Sequence, residues 1–126
     1  MSLNAFPLRT NIPEGFLWFA RILGVNGANP TTQIGGEGAT ITRVSEGLYR
    51  VDFAENPGTF LGGYFGYGAA TPADLRGYNA VRDTWDATEF RFDFSVYPSD
   101  GGAIGDIIAN QYLDIFIYFR KSGVTG

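Results

Sequence analysis

The sequence predicts an all-β domain, a jelly-roll-like β-sandwich of seven or eight short strands. Three observations predict it. Among 126 residues there are 11 Phe, 7 Tyr and 2 Trp against a single Met, and aromatic and β-branched side chains fit a pleated surface. The 18 Gly and 6 Pro fall in clusters that cut the chain into short pieces, with turn signals roughly every ten residues, the spacing of sandwiches and jelly rolls. No run repeats apolar residues at helical spacing for more than a turn or two. At 44% hydrophobic the chain has the means to bury a core and does not read as disordered.

Residues 1–15 read as an extended N-terminal arm ahead of a single domain at 16–126. The arm carries Leu3, Phe6 and Leu8 and two prolines, Pro7 and Pro13, and proline removes a backbone donor and favours extended chain. "GFLWFARIL" (15–23) is the first strand, apolar nearly throughout. "GVNGANPTTQIGGEG" (24–38) is a loop, dense in Gly, Asn and Pro. "ATITRVS" and "GLYRVDFA" form a hairpin around "SEG", and in its second strand Tyr49, Val51 and Phe53 alternate with Leu48, Arg50 and Asp52. "AENPGTF" turns the chain into "FLGGYFGYGA", a strand whose glycines mark a bulge or a close backbone approach. "TPADLRGY" suits one helical turn, with Thr71 as cap and Pro72 at the first position. "YNAVRD" is a short strand and "TWDAT" a turn. "TEFRFDFSVY" (88–97) alternates most cleanly, with Phe90, Phe92, Phe94 and Val96 on one face and Arg91, Asp93 and Ser95 on the other. After the loop "PSDGGAIGD", "IIANQYLDIFIYF" completes the sheet.

The last strand carries a functional question. Leu113, Ile115, Ile117 and Phe119 supply an apolar core face, but the other face holds Tyr112, Asp114, Phe116, Tyr118 and Arg120. A strand with one wet face alternates apolar with polar, and this one is aromatic on its second face. Two covers are open. The strand is central and its second face packs under the 24–38 loop, or the face meets copies of itself around a symmetry axis. The second is favoured, because each large aromatic side chain taken out of water contributes about 1.5–3 kcal/mol, and each subunit repeats the set.

Several function classes are disfavoured or excluded. The chain has no His and no Cys, which removes Cys/His metal sites, thiolate nucleophiles and every Ser-His-Asp or Cys-His arrangement. Net charge is −4 with 8 Arg and one Lys, Lys121, and these form no basic patch, so direct nucleic-acid binding is disfavoured. No apolar run approaches the length of a membrane span, and "MSLNAFPLRTNIPEG" lacks the order of a secretory signal. "GGEG" and "GYFGYG" have the spacing of phosphate loops but open no helix. Asp83, Asp86 and Glu89, and separately Asp100 and Asp106, lie close in sequence as calcium ligands would, yet carboxylates in turns commonly serve as solvated caps. No cofactor and no catalytic pair is expected. Trp18, Trp85, Tyr64 and Tyr67 are candidates for stacking on sugars or on a partner, weighed against a place in the core or at its rim.

The order of segments carries a resemblance. "TITRVSEGLYRVDFAENPGTFLGG" is followed much later by "FRFDFSVY", then by "AIGDIIANQ" and the closing "LDIFIYFRKSG". Over roughly residues 38–123 this is similar to small tailed-phage virion proteins of the head decoration, or cement, type. The resemblance implies a non-enzymatic β-sandwich that forms homotrimers on the outer surface of the capsid and clamps the major capsid protein. On that expectation Tyr112, Phe116 and Tyr118 meet at the oligomer interface, and the arm reaches the shell through Phe6, Leu8 and Arg9. The alternatives are a tail, neck or fibre-base component of the virion, and a carbohydrate-binding module using Trp18, Trp85 and Tyr67.

Overall fold

A computed structural model describes residues 15–25, 27–68, 79–98 and 103–121. These residues form eight strands: β1 (Gly15–Leu23), β2 (Thr31–Gly35), β3 (Ala39–Ser45), β4 (Leu48–Phe53), β5 (Thr59–Gly68), β6 (Asn79–Arg82), β7 (Arg91–Tyr97) and β8 (Tyr112–Arg120). They build two four-stranded sheets, ordered β2-β1-β8-β5 and β3-β4-β7-β6. Every strand pair is antiparallel, and the two sheets pack together as the sandwich expected from the sequence. The first and last strands lie side by side in the middle of the first sheet, paired without interruption from Gly15–Arg120 to Leu23–Tyr112.

The alternation read from the sequence fixes which side of each strand enters the core. Trp18, Ala20 and Ile22 of β1 meet Leu113, Ile115, Ile117 and Phe119 of β8 on the inner side of the first sheet. Tyr49, Val51 and Phe53 of β4 and Phe92, Phe94 and Val96 of β7 face them from the second sheet. The core is held largely by rings. Phe119 lies 5.4 Å from Phe53, 5.5 Å from Trp85, 5.6 Å from Phe16 and 5.9 Å from Phe60, centroid to centroid. These are the offset and edge-to-face separations that aromatic quadrupoles favour.

Four expectations are corrected. The 24–38 segment is not all loop, because Thr31–Gly35 pairs with β1 as β2. All five of its residues are exposed, so burial left no period in the sequence to mark it; backbone pairing alone makes it a strand. It lies beside β1, which rules it out as the cover for the second face of β8. The seventh strand starts at Arg91 and not at Thr88, because an Asp86 carboxylate oxygen accepts the N–H groups of Thr88 and Glu89 at 2.9 and 3.0 Å and closes a turn. Phe90 leaves that turn at φ 58°, outside the strand, although its side chain still packs against the core. The last strand starts at Tyr112, since Asn110 at φ 67° turns the chain and Ile107–Gln111 serves as its approach. The helical turn expected at Thr71–Tyr78 and the arm at residues 1–14 lie outside the described residues; Gly15 opens β1.

Candidate functional site

Opposite residues in an antiparallel sheet point to the same side, so the register of the first sheet assembles its outer face row by row. Leu17, Tyr118 and Gly62 make one row, and Phe19, Phe116 and Tyr64 the next. Then come Ile34, Arg21, Asp114 and Gly66, followed by Thr31, Leu23, Tyr112 and Gly68. Arg120 ends the face. None of the large side chains in these rows is buried. Tyr64 is 56% exposed and Ile34 51%.

The central row has a defined geometry. Tyr64 stacks on Phe116 with centroids 4.6 Å apart and planes 12° from parallel, and Phe19 meets the other side of Phe116 at 4.9 Å. The Tyr64–Phe116 separation matches the spacing of about 4.8 Å between neighbouring strands. The Phe116 and Tyr64 rings therefore lie face to face across the two strands. A sugar stacks on a ring face, and Phe116 has a ring on each side, while Tyr64, 56% exposed on the edge strand, has one face on Phe116. Ring edges and apolar rims suit contact with another protein surface.

The next row is electrically closed. Arg21 donates through Nε and Nη2 to the two oxygens of Asp114 at 2.7 and 2.9 Å. Hydrogen bonding to Asp114, reinforced by its charge, raises the Arg21 pKa above its ordinary value. The guanidinium also lies 5.1 Å from the Tyr112 ring centre, a cation–π distance. The pair places no net charge in the middle of the face.

The outer face of the second sheet is the contrast. Its register brings Thr40, Asp52 and Arg91 into one row and Thr42, Arg50 and Asp93 into the next. Arg50 donates to Asp93 at 2.8 and 3.2 Å. Those two rows have the polar outward side of an ordinary solvated sheet, and the rows beyond them add Leu48, Tyr97 and the 52% exposed Val81. The second sheet is thus charged in its middle, where the first carries a continuous band of Phe, Tyr and Leu.

The residues expected at an oligomer interface, Tyr112, Phe116 and Tyr118, thus share one outer face, each half-buried, and the fold adds the half-buried Leu17 and Phe19 and the exposed Tyr64. β1 gave a signal for this in being apolar nearly throughout, as a strand with two apolar faces must be. The arm residues Phe6, Leu8 and Arg9 lie outside the described residues. Trp18, Trp85 and Tyr67 are not brought onto one open surface. Trp18 is 8% exposed, with its indole N–H donating to the Glu37 carbonyl at 2.9 Å and its ring 5.0 Å from Phe53. Trp85 stacks on Phe60 at 5.5 Å and abuts Phe53, Phe92 and Phe119. Tyr67 is partly buried against the core. Trp18 and Trp85 border two shallow hollows, of ≈ 450 and ≈ 380 Å³, that share Asn56 in their linings.

The carboxylates considered as calcium ligands are placed as follows. Asp86 caps its own turn, and Asp83 accepts the Thr84 N–H at 2.7 Å. Asp106 is bound by Arg43 and by the Gly47 N–H, and Asp100 lies outside the described residues. Among the described residues no group of three or more acidic side chains stands close enough to hold a metal ion. No family model, curated protein or solved structure matches this chain.

Proposed function

We propose that this chain is a non-enzymatic structural protein of a phage virion, a capsid decoration protein that works as a homotrimer. The observation that carries the reading is the aromatic outer face of the β2-β1-β8-β5 sheet, set against the outer face of its partner sheet, which is charged in its middle. An apolar band on an outer face, half-exposed and continuous across three strands, marks an association surface more often than a solvated one. The stacking of Phe116 between Phe19 and Tyr64 and the internally neutralised Arg21–Asp114 pair favour a protein partner over a sugar. The virion and the capsid enter through the resemblance of residues 38–123 to head decoration proteins.

In this reading the mechanism is mechanical. Subunits associate through the aromatic face, and the trimer then grips several shell subunits together. Attachment at several points makes the whole hold stronger than any one contact, because later contacts form at high effective concentration. The net charge of −4 keeps the particle exterior soluble and away from nucleic acid.

The test is the mass of the purified protein by light scattering over a dilution series, followed by immunogold labelling of virions. A mass of three subunits that persists on dilution, with label over the head, is the expected result. Label on the tail, neck or fibre base replaces the capsid role with the alternative virion role. A monomer at every concentration removes the trimer mechanism.

A further inference from the structure

The outer face alone is a small interface. Four strands about 4.8 Å apart, each contributing about eight residues at roughly 3.3 Å, project to roughly 500 Å². A stable specific interface takes about 800 Å² of accessible surface from each partner, which this flat patch approaches only through the relief of its side chains. Symmetry adds a second constraint. A face that packs on its own copy makes a two-fold dimer, whereas a ring of three needs two different patches on each subunit. If the chain forms a trimer, a second apolar surface must adjoin the first.

β5 supplies it. This strand is an edge of the first sheet, and its ten residues, "TFLGGYFGYG", contain no charge and no proline. Natural edge strands are usually guarded by charge, proline, shortness or a bulge, because their unpaired backbone groups template pairing with another chain. Here the bulge lies near one end, between Phe60 and Gly62, after which Gly62–Gly68 runs in unbroken register with β8. The other edges differ. β2 is five exposed residues, mostly polar, β3 carries Arg43, and β6 is four residues ending in Arg82.

The edge and the face also meet at one corner. Tyr64 belongs to both, stacked on Phe116 yet 56% exposed, and Leu61 in the bulge is 38% exposed. Along β5 the outer face is bare backbone at Gly62 and Gly66, while the Tyr112 ring lies over Gly68. A side chain begun at Gly62 would meet nothing within 4 Å, and one begun at Gly66 only ordinary contacts at 3.8 Å. The corner is therefore a low glycine margin beside a ridge of stacked rings.

We propose that the trimer is closed by a heterologous contact in which the β5 edge of one subunit, with Leu61 and Tyr64, lies on the β1–β8 face of the next. The inference rests on the self-association proposed above and goes beyond it by assigning the second surface. The occupant is a second copy of this chain. Net charge opposes the meeting of two copies elsewhere, while the edge is uncharged and the middle of the face is neutralised. The contact joins the existing apolar band, and it covers an edge that has no strand partner among the described residues.

The chain has no cysteine of its own, which makes site-directed cross-linking unambiguous. The variants Leu61→Cys and Tyr118→Cys, singly and together, are treated with a short bis-maleimide and run on a denaturing gel. Light scattering of each untreated variant gives its assembly state, and Leu17→Cys replaces Tyr118→Cys should the latter fail to assemble. The expected result is a ladder ending at three subunits for the double variant and no cross-link for either single variant. Dimers from Tyr118→Cys alone would show a face-to-face contact and overturn the proposal. So would assembled protein whose double variant does not cross-link. A monomeric mass for the unmodified protein removes the underlying reading itself, and the scattering data separate that failure from the other two.

Discussion

Asp106 illustrates how single residues hold the ends of this sandwich together. Its carboxylate accepts Arg43 Nε at 3.0 and 3.1 Å and the Gly47 N–H at 2.8 Å. The Tyr49 hydroxyl, which accepts the Ile107 N–H at 3.0 Å, bonds to it as well. Asp106 thereby ties the β7–β8 connection to the β3–β4 hairpin. Burial pushes its pKa up, but Arg43, Gly47 and Tyr49 together outweigh burial and hold it below the ordinary carboxylate value. A folded-state pKa below the unfolded one gives stability that is complete above the unfolded value, about 4, and is lost as pH falls through the folded value. Asp86, held low by the N–H groups of Glu89 and Thr88, acts in the same direction. Stability is therefore expected to fall on acidification below about pH 4. Asp106→Asn should cost about 1–3 kcal/mol at pH 7, the usual penalty when a charged hydrogen-bond partner is lost. It should also flatten part of the acid limb. Urea unfolding of both proteins at pH 7 and pH 3 checks this, and an unchanged acid limb in the variant would assign the loss to other carboxylates.

At the scale of elements, the glycine-rich β5 shows what the chain gains by omitting side chains. A Cβ at Gly63 would stand 2.3 Å from the Phe116 carbonyl oxygen and 3.3 Å from the Ile117 Cα, so the backbone itself blocks it. At Gly66, on the opposite side of the strand, the nearest atoms are at 3.8 Å. Gly63→Ala is expected to cost roughly 1–3 kcal/mol by overpacking, and Gly66→Ala to stay within about 0.5 kcal/mol as an open surface change. Thermal unfolding of the pair distinguishes them, and equal losses would refute the argument from space. The same strand marks the limit of what the sequence discloses. β4, β7 and β8 are legible because burial writes a period of two into a strand, β1 because it is apolar nearly throughout, and β3 because it forms a hairpin with β4. β2 is not, because "TTQIG" is exposed throughout and only backbone pairing makes it a strand. Phe90 was drawn into β7 by its place in the Phe alternation, while the capping of Asp86 held it in a turn. Half of the candidate site was legible for the same reason. The second face of β8 announced itself through Tyr112, Phe116 and Tyr118, whereas Phe19 and Tyr64 join Phe116 only through cross-strand register, which no local periodicity encodes.

At the scale of the whole molecule, two kinds of outer face must be reconciled with one net charge. Each copy carries −4, so bringing three together raises a repulsion that grows with assembly. Against it stands burial of the Leu17, Phe19, Phe116, Tyr118 and Tyr64 surface, which salt does not screen. Arg21 and Asp114 are paired within one subunit at 2.7 Å, so the pair need not open for copies to meet. These terms give assembly a sign in salt. At about 0.1 M ionic strength the screening length is about 10 Å and at 1 M about 3 Å, so added salt removes the repulsion between copies while leaving the apolar attraction in place. Light scattering at 0.05 and 1 M NaCl, close to the dissociation midpoint, should therefore show equal or greater mean mass at the higher salt. A contact made by ion pairs between subunits would behave oppositely and dissociate as salt rises. In that event Arg21 and Asp114 would have to exchange partners across the interface, and Asp114→Asn would then weaken assembly as strongly as loss of the Phe116 ring. With apolar contact dominant, Phe116→Ala should lower the mean mass at both salt concentrations and Asp114→Asn should shift it little.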